Sequence, residues 1–325
     1  MAEDTQTTER SIADGYEAAG QAGRSLWSDA IARLRRDKGA MLCLAVIVVY
    51  VWIAAAGLAY EVAANHIERV PTFGETADYE MTNKAPSIRS LKGLLGTDWS
   101  GKSVLFKTLL SVKTSLTVGF MANIIAVPLG MLLGAIAGYY RGRVDDVIVW
   151  LYTTLASIPG IILLIAMKYA FKGKAPLGLD LSGVHGLYIA LAVVSWIGTC
   201  RLVRAEVMKI SQLEYVLAAR AIGTSGIVIM FRHVLRNVSH IGIINFSLGF
   251  VGAIKAEVIL SYLGLGVPVG TPSWGAMINA ARMDLFTGRW WELVSAVAAM
   301  FLLVLTLNVF GDRLRDALDP RLRNV

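Results

Sequence analysis

An all-α integral membrane protein with six transmembrane helices is the fold class this sequence predicts, on three observations. Of 325 residues, 55% are apolar and only 17% are charged. The mean hydropathy of +0.58 is too high for a soluble domain of this length. The apolar residues fall in six long blocks, roughly 41–60, 112–138, 146–171, 186–203, 238–262 and 291–310, with the charges between them. A helix crosses the hydrocarbon core, about 30 Å thick, with about 20 residues. Lipid offers backbone N–H and C=O groups no partner, so each block must be helical. None alternates with period two, which excludes a β-barrel.

The first element is a polar N-terminal segment, residues 1–40. Its length before the first apolar block marks that block as a retained anchor, not a cleaved signal. Residues 1–24 are rich in Thr, Glu, Ala and Gly, a composition expected to be disordered. Leu26, Trp27, Ile31 and Leu34 then space a short interfacial amphipathic helix. Arg33, Arg35, Arg36 and Lys38 directly precede Met41, and basic residues gather again at 141–143, 201–236 and 313–323. The positive-inside rule therefore predicts that both termini are cytoplasmic, with an extracytoplasmic loop at 61–107 and a cytoplasmic tail at 311–325. The formal charge of +7 then reflects topology and contact with anionic lipid. No DNA or RNA motif accompanies it, and no nucleic-acid partner is expected.

In the long loop, Gly96-Thr-Asp-Trp-Ser-Gly101-Lys102-Ser103 matches the pattern of a phosphate-cradling P-loop. The context does not suit one. The preceding segment, Pro86 to Gly93, is polar and broken, an apolar membrane block follows, and the predicted topology places the run outside. A turn and helix start, capped by Asp98 or Ser100, is the expectation. Cys43 and Cys200 suggest neither a disulfide nor a metal site, and His66, His185, His233 and His240 lack ligand spacing.

Within the blocks, Gly130, Gly134 and Gly138 recur every four residues, so a neighbouring backbone can approach closely there; Gly249 and Ala253 allow the same. Pro128 and Pro159 fall inside the second and third blocks, where each removes a backbone donor and is expected to bend its helix. Lys113 and Lys168 lie near enough to block ends to snorkel. Lys255 and Glu257, two residues apart, point about 200° away from each other and cannot be a simple ion pair. Two roles stay open for Glu257: facing a translocation path or partner subunit, or holding the outer loop by hydrogen bonds. Lys255 is a further candidate for the path or outer gate.

The fourth and fifth blocks are joined by a polar, helix-prone segment, Glu214 to Arg236. A helix over Gln212 to Ile222, stopped by Gly223, would place Tyr215, Ala218, Ala219 and Ile222 on one side. Small Ala side chains let a partner surface approach, and Tyr215 supplies an anchor of the kind found at interface hot spots. A helix that merely joins two spans fits the periodicity equally well.

The run Glu214-Tyr215-Val216-x-Ala218-Ala219-Arg220-Ala221-x-Gly223-x-Ser225, with Arg232-His233-x-Leu235-x-Asn237, resembles the cytoplasmic coupling motif of ABC-importer permeases. The second permease subunit of the dipeptide, oligopeptide and nickel transport family is the particular resemblance. Leu95-Gly-Thr-Asp98, Ala137-Gly-Tyr139 with Asp145, Glu257 with Leu260 to Gly266, Pro272-Ser-Trp-Gly275 and Asn308 to Arg321 agree in order and spacing. Three positions depart from it: Leu217 replaces a Glu, Arg236 replaces a Pro, and Lys255 replaces an apolar residue.

The resemblance implies a type I ABC importer permease (MetI-like) core, a five-helix unit over 108–310 with a coupling helix at 212–224, plus an extra N-terminal helix at 41–60. It implies half of a translocation pore in the bacterial cytoplasmic (inner) membrane, paired with a homologous permease subunit as a heterodimer. Two cytosolic ABC ATPase subunits would dock on Glu214, Tyr215, Ala218, Ala219, Arg220 and Gly223. An extracytoplasmic substrate-binding protein would deliver peptides or nickel complexes. The chain itself would bind no cofactor or metal and catalyse no reaction, with ATP and Mg held by the partner subunits. The alternative function is an ion-gradient-driven secondary transporter, which predicts paired broken helices and carboxylates near the midplane.

Overall fold

The computed structural model describes residues 26–178 and 180–318, so the expectation for residues 1–24 and the end of the tail lie outside the described residues. Helix α1, Leu26–Arg36, leads through Asp37 into α2, Lys38–His66. Asp37 caps α2 by accepting from the Gly39 and Ala40 N–H groups at 2.8 and 3.2 Å. A long connection follows, then α3, Val104–Tyr140. Next come α4, Gly142–Ala156, and α5, Gly160–Phe171, then α6, Val184–Ile210, and the short α7, Glu214–Ala221. Helix α8 spans Gly226–Tyr262 and contains one π-turn at Met230–Val234. Helices α9, Trp274–Asp284, and α10, Trp291–Leu318, complete the described chain.

Five of these helices, α2, α3, α6, α8 and α10, are long and apolar enough to cross a membrane. The third predicted block is two helices, α4 and α5, bent by 93° at the break. Pro159 is the N-cap of α5, so the expected bend within a helix is a full interruption at Ser157 to Pro159. Pro128, by contrast, lies inside a continuous α3. Helix α3 packs against α2, α6 and α8, although Pro128 itself is exposed, whereas α4 and α5 are exposed along much of their length.

Packing fixes the directions. A Cβ on Gly130, Gly134 or Gly138 would lie 2.6, 2.6 or 2.7 Å from the carbonyl oxygens of Trp196, Cys200 and Arg204. The contacts advance together along both helices, so α3 and α6 run parallel with their backbones in direct apposition. Two parallel neighbours require the chain to return between them, and the bent pair α4–α5 makes that return, giving six passes along the bundle. Helix α8 runs antiparallel to α3: Gly119 lies against Phe250 and Ile254, and Met131 against Gly242. The bundle therefore has a Lys107 end, with the long connection and α9, and a Tyr215 end, with α7, the start of α2 and the end of α10. Arg313 and Asp37 pair at 2.7 Å, tying α10 to the α1–α2 junction.

At the Lys107 end the P-loop-like run is a self-contained turn. The N–H groups of Gly96, Thr97, Asp98, Gly101 and Val104 donate to carbonyls of the same connection, and the Asp98 carboxylate accepts from the Ser100 and Lys102 N–H groups at 2.9 Å each. Those donors are spent within the chain. Gly101 is required because its φ is +74° and a Cβ would sit 1.7 Å from the Asp78 carbonyl oxygen. The cap of α3 is Ser103, not Asp98 or Ser100. Asp98 instead pairs with Lys107 at 2.9 Å, and Lys107 also reaches Glu292 on α10 at 2.7 Å. Trp291 donates its indole N–H to the Thr97 carbonyl at 3.0 Å. Burial alone raises the Asp98 pKa, but Lys107 and the hydrogen bonds from Ser100 and Lys102 overcome this and hold it below the ordinary carboxylate value.

Candidate coupling surface

Helix α7 hangs between the ends of α6 and α8. It is shorter than the predicted 212–224 span, because Ser211 to Leu213 form a turn and Gly223, at φ +83°, closes the other end. The Gly223 and Thr224 N–H groups donate to the Arg220 and Ala219 carbonyls at 3.0 and 3.1 Å, satisfying the last turn. The segment from Gly226 onward belongs to α8, which starts well before the predicted 238. Arg236 lies within that helix, so α8 does without a proline start.

Val216 fastens α7 to the bundle. It is fully buried in a cluster with Tyr139 of α3, Val207 and Ile210 of α6, and Ile229 and Val234 of α8. Around this anchor, Glu214, Tyr215, Ala218 and Arg220 are exposed, whereas Ala219 is half-buried against the same cluster. Ala219 is thus turned inward from the predicted face. The Tyr215 hydroxyl accepts from the Asn237 side-chain amide at 2.6 Å, and the Arg220 guanidinium stacks 5.4 Å from the Tyr139 ring centroid.

The exposed side of this end is apolar. Leu213, Leu217, Ile222 and Ile227 are 47, 47, 82 and 62% exposed. Ile222 was expected on this face, whereas Leu213, Leu217 and Ile227 were not, because they are scattered among charged residues and lack a clean helical period. Their supports are rigid: Arg204 of α6 holds Asp145 of α4 bidentately, Nε–Oδ1 2.5 Å and Nη2–Oδ2 2.6 Å, and Arg141 donates to the Met208 carbonyl at 3.0 Å. The clamp fixes the α6 end from which α7 departs.

Lys255 and Glu257 lie elsewhere, toward the Lys107 end of α8. Lys255 is on the surface, while Glu257 is fully buried and accepts from Ser115 of α3 at 3.0 Å and from Ser261 at 2.8 Å. The structure does not bring these two residues together with the α7 group.

Residues 130–324 match the family described as binding-protein-dependent transport system inner membrane component. The chain belongs to this family. Residues 25–86 match a second description, the N-terminal TM domain of oligopeptide transport permease C. The oligopeptide transport system permease protein OppC of Bacillus subtilis (strain 168) is 30% identical over 92% of this chain and 91% of its own. The glutathione transport system permease protein GsiD of Escherichia coli O6:H1 is 34% identical over 92% of each. A solved structure described as inward-facing conformations of the MetNI methionine ABC transporter overlays 66% of this chain and 94% of its own at a TM-score of 0.48 and 17% identity. On the family match and these relatives, the chain is a multi-pass permease subunit of an ABC importer, a transport protein and not an enzyme, and the ion-gradient reading is set aside.

Proposed function

We propose that this permease forms half of a peptide-conducting pore in a bacterial inner membrane and receives its driving energy through α7. It pairs with a homologous permease as a heterodimer, two cytosolic ATPases hold ATP and Mg, and an extracytoplasmic binding protein delivers the solute. The observation that carries the reading is the combination at α7: one buried anchor, Val216, beneath a face of exposed apolar and small side chains. A hydrophobic face of that kind marks a protein contact. Basic residues at the same end, including Arg141, Arg220, Arg232 and Arg236, support placing it and both termini in the cytoplasm.

The mechanism follows from the supports. An ATPase that grips Tyr215 and Ala218 and moves on ATP binding displaces the ends of α6 and α8 together, because Val216 is packed between them. The two bundles then exchange between two packings biased by differential contact with the partner. Peptides are favoured as cargo by the relatives named for oligopeptide and glutathione transport. Buried and internally hydrogen-bonded, Glu257 supports the role of a packing strut between α3 and α8, in preference to a path-lining group.

The test is ATP-driven peptide uptake by the complete complex in vesicles carrying Ala218→Arg. Uptake lost with the complex still inserted supports the reading; normal uptake together with normal ATPase co-purification contradicts it.

A further inference from the structure

A groove of ≈ 560 Å³ runs between α2, α3, α8 and α10, with Ile47, Val127, Ile243, Phe246, Leu307 and Leu314 among its walls. Among the described residues, its polar side chains are Ser239 and Ser247 alone. A peptide lying there would leave its backbone N–H and C=O groups unpaired, so the groove suits a hydrocarbon.

Two features identify the occupant. The first is length: the α8 wall from Ser239 to Phe250 and the α10 wall from Leu303 to Leu314 are each about 16 Å long, and the α3 wall from Leu116 to Met131 about 22 Å, at 1.5 Å per residue. Even the longest wall stops short of the hydrocarbon core, roughly 30 Å thick. A partner's crossing helix would need a groove through both leaflets, whereas one acyl chain needs one leaflet. The second is charge. Arg236, Ser239, Ile243, Phe246 and Phe250 share one face of α8 at helical spacing, so Arg236 lies one turn beyond the groove's α8 wall. It is exposed, and among the described residues it is in no ion pair.

We propose that this groove holds one acyl chain of an anionic phospholipid, with the lipid phosphate on the Arg236 guanidinium. A basic group beside an apolar cleft between membrane helices is the arrangement that selects such headgroups. The orientation proposed above enters only in naming the leaflet, the cytoplasmic one. A lipid seated between α8 and α10 makes the permease's packing sensitive to membrane composition.

The test uses the complete transporter complex in phosphatidylethanolamine vesicles with a minor fraction of phosphatidylglycerol, with Phe246 replaced by photoreactive benzoylphenylalanine. Irradiation is expected to give a phospholipid adduct whose phosphatidylglycerol share exceeds its mole fraction in the vesicle. An adduct to the partner permease or to a transported peptide, or a lipid adduct without phosphatidylglycerol enrichment, overturns the proposal. In the same background, Arg236→Gln is expected to lower the enrichment about fivefold, and Ile243→Trp to remove the adduct; enrichment unchanged in Arg236→Gln overturns the assignment of the phosphate to Arg236. Because enrichment is read in the Arg236 protein itself, the outcome does not depend on either variant assembling, and lipid capture is independent of ATPase docking.

Discussion

At the Lys107 end of the bundle, charged side chains are buried and paired; at the Tyr215 end, apolar side chains stand exposed around a single buried valine. Lys107 is 12% exposed between Asp98 and Glu292, whose side chains are 2 and 3% exposed, and Trp291 closes the turn beside them. Around Val216, by contrast, Leu217 and Ile222 are 47 and 82% exposed. One end is tied together by buried charges, and the other is fastened by one buried apolar side chain beneath an exposed face. Substitutions at the two ends should therefore fail in different ways.

The largest effect on folding is expected from Lys107→Met. Removing the one cation leaves Asp98 and Glu292 buried as like charges, and breaking a buried pair costs about 3–5 kcal/mol. Thermal unfolding of the detergent-solubilised protein should show a large loss; unchanged stability would mean that the three groups do not act together. Ala218→Arg comes next and reverses the pattern. Its stability should stay within about 0.5 kcal/mol of the parent, while uptake should fall more than about tenfold. Comparable losses in both measurements would remove the contrast between the ends.

A pH titration probes the Lys107 end alone. The Asp98 pKa is depressed in the folded protein, so its contribution to stability is fully present above the unfolded carboxylate value of about 3.9 and is lost as pH falls from there through the folded value. Stability should be insensitive to Asp98 near neutral pH and decline below about pH 4, and Asp98→Asn should flatten that acid limb. A limb of the same steepness in the variant would assign it to other groups. The smallest effect is at Tyr215. Tyr215→Phe removes the Asn237 bond, worth about 1 kcal/mol, and should loosen α7 with a partial loss of uptake; no change in hydrogen exchange at residues 214–221 would show that Val216 alone holds the helix.

These contrasts also explain what could be read without coordinates. The five long helices were legible because each buries or exposes about 20 apolar residues in one run, and Gly130, Gly134 and Gly138 announced the α3–α6 contact because their spacing is local. The turn of the chain at Gly223 was legible from its residue type. The break in the third block was not, since the apolar run resumes directly after Ser157-Ile-Pro159 and a proline is compatible with both outcomes: Pro128 is carried within α3, while Pro159 starts a new helix. The Lys107 group was hidden for a different reason. Asp98 and Lys107 are nine residues apart, but Glu292 joins them only because α10 starts at the same end of the bundle as α3, a contact between residues 185 apart. At α7, composition located the surface but not its orientation, because one valine decides which side of a two-turn helix faces inward.

The central claim is that α7 is gripped by a cytosolic ATPase, and a cross-link from its exposed face tests it most directly. With Tyr215 replaced by benzoylphenylalanine in the complete complex, irradiation should yield a covalent adduct between this permease and an ATPase subunit, with its yield changing between nucleotide-free and ATP-bound states. An adduct to the substrate-binding protein, or none to the ATPase in a complex that still takes up peptide, would contradict the account.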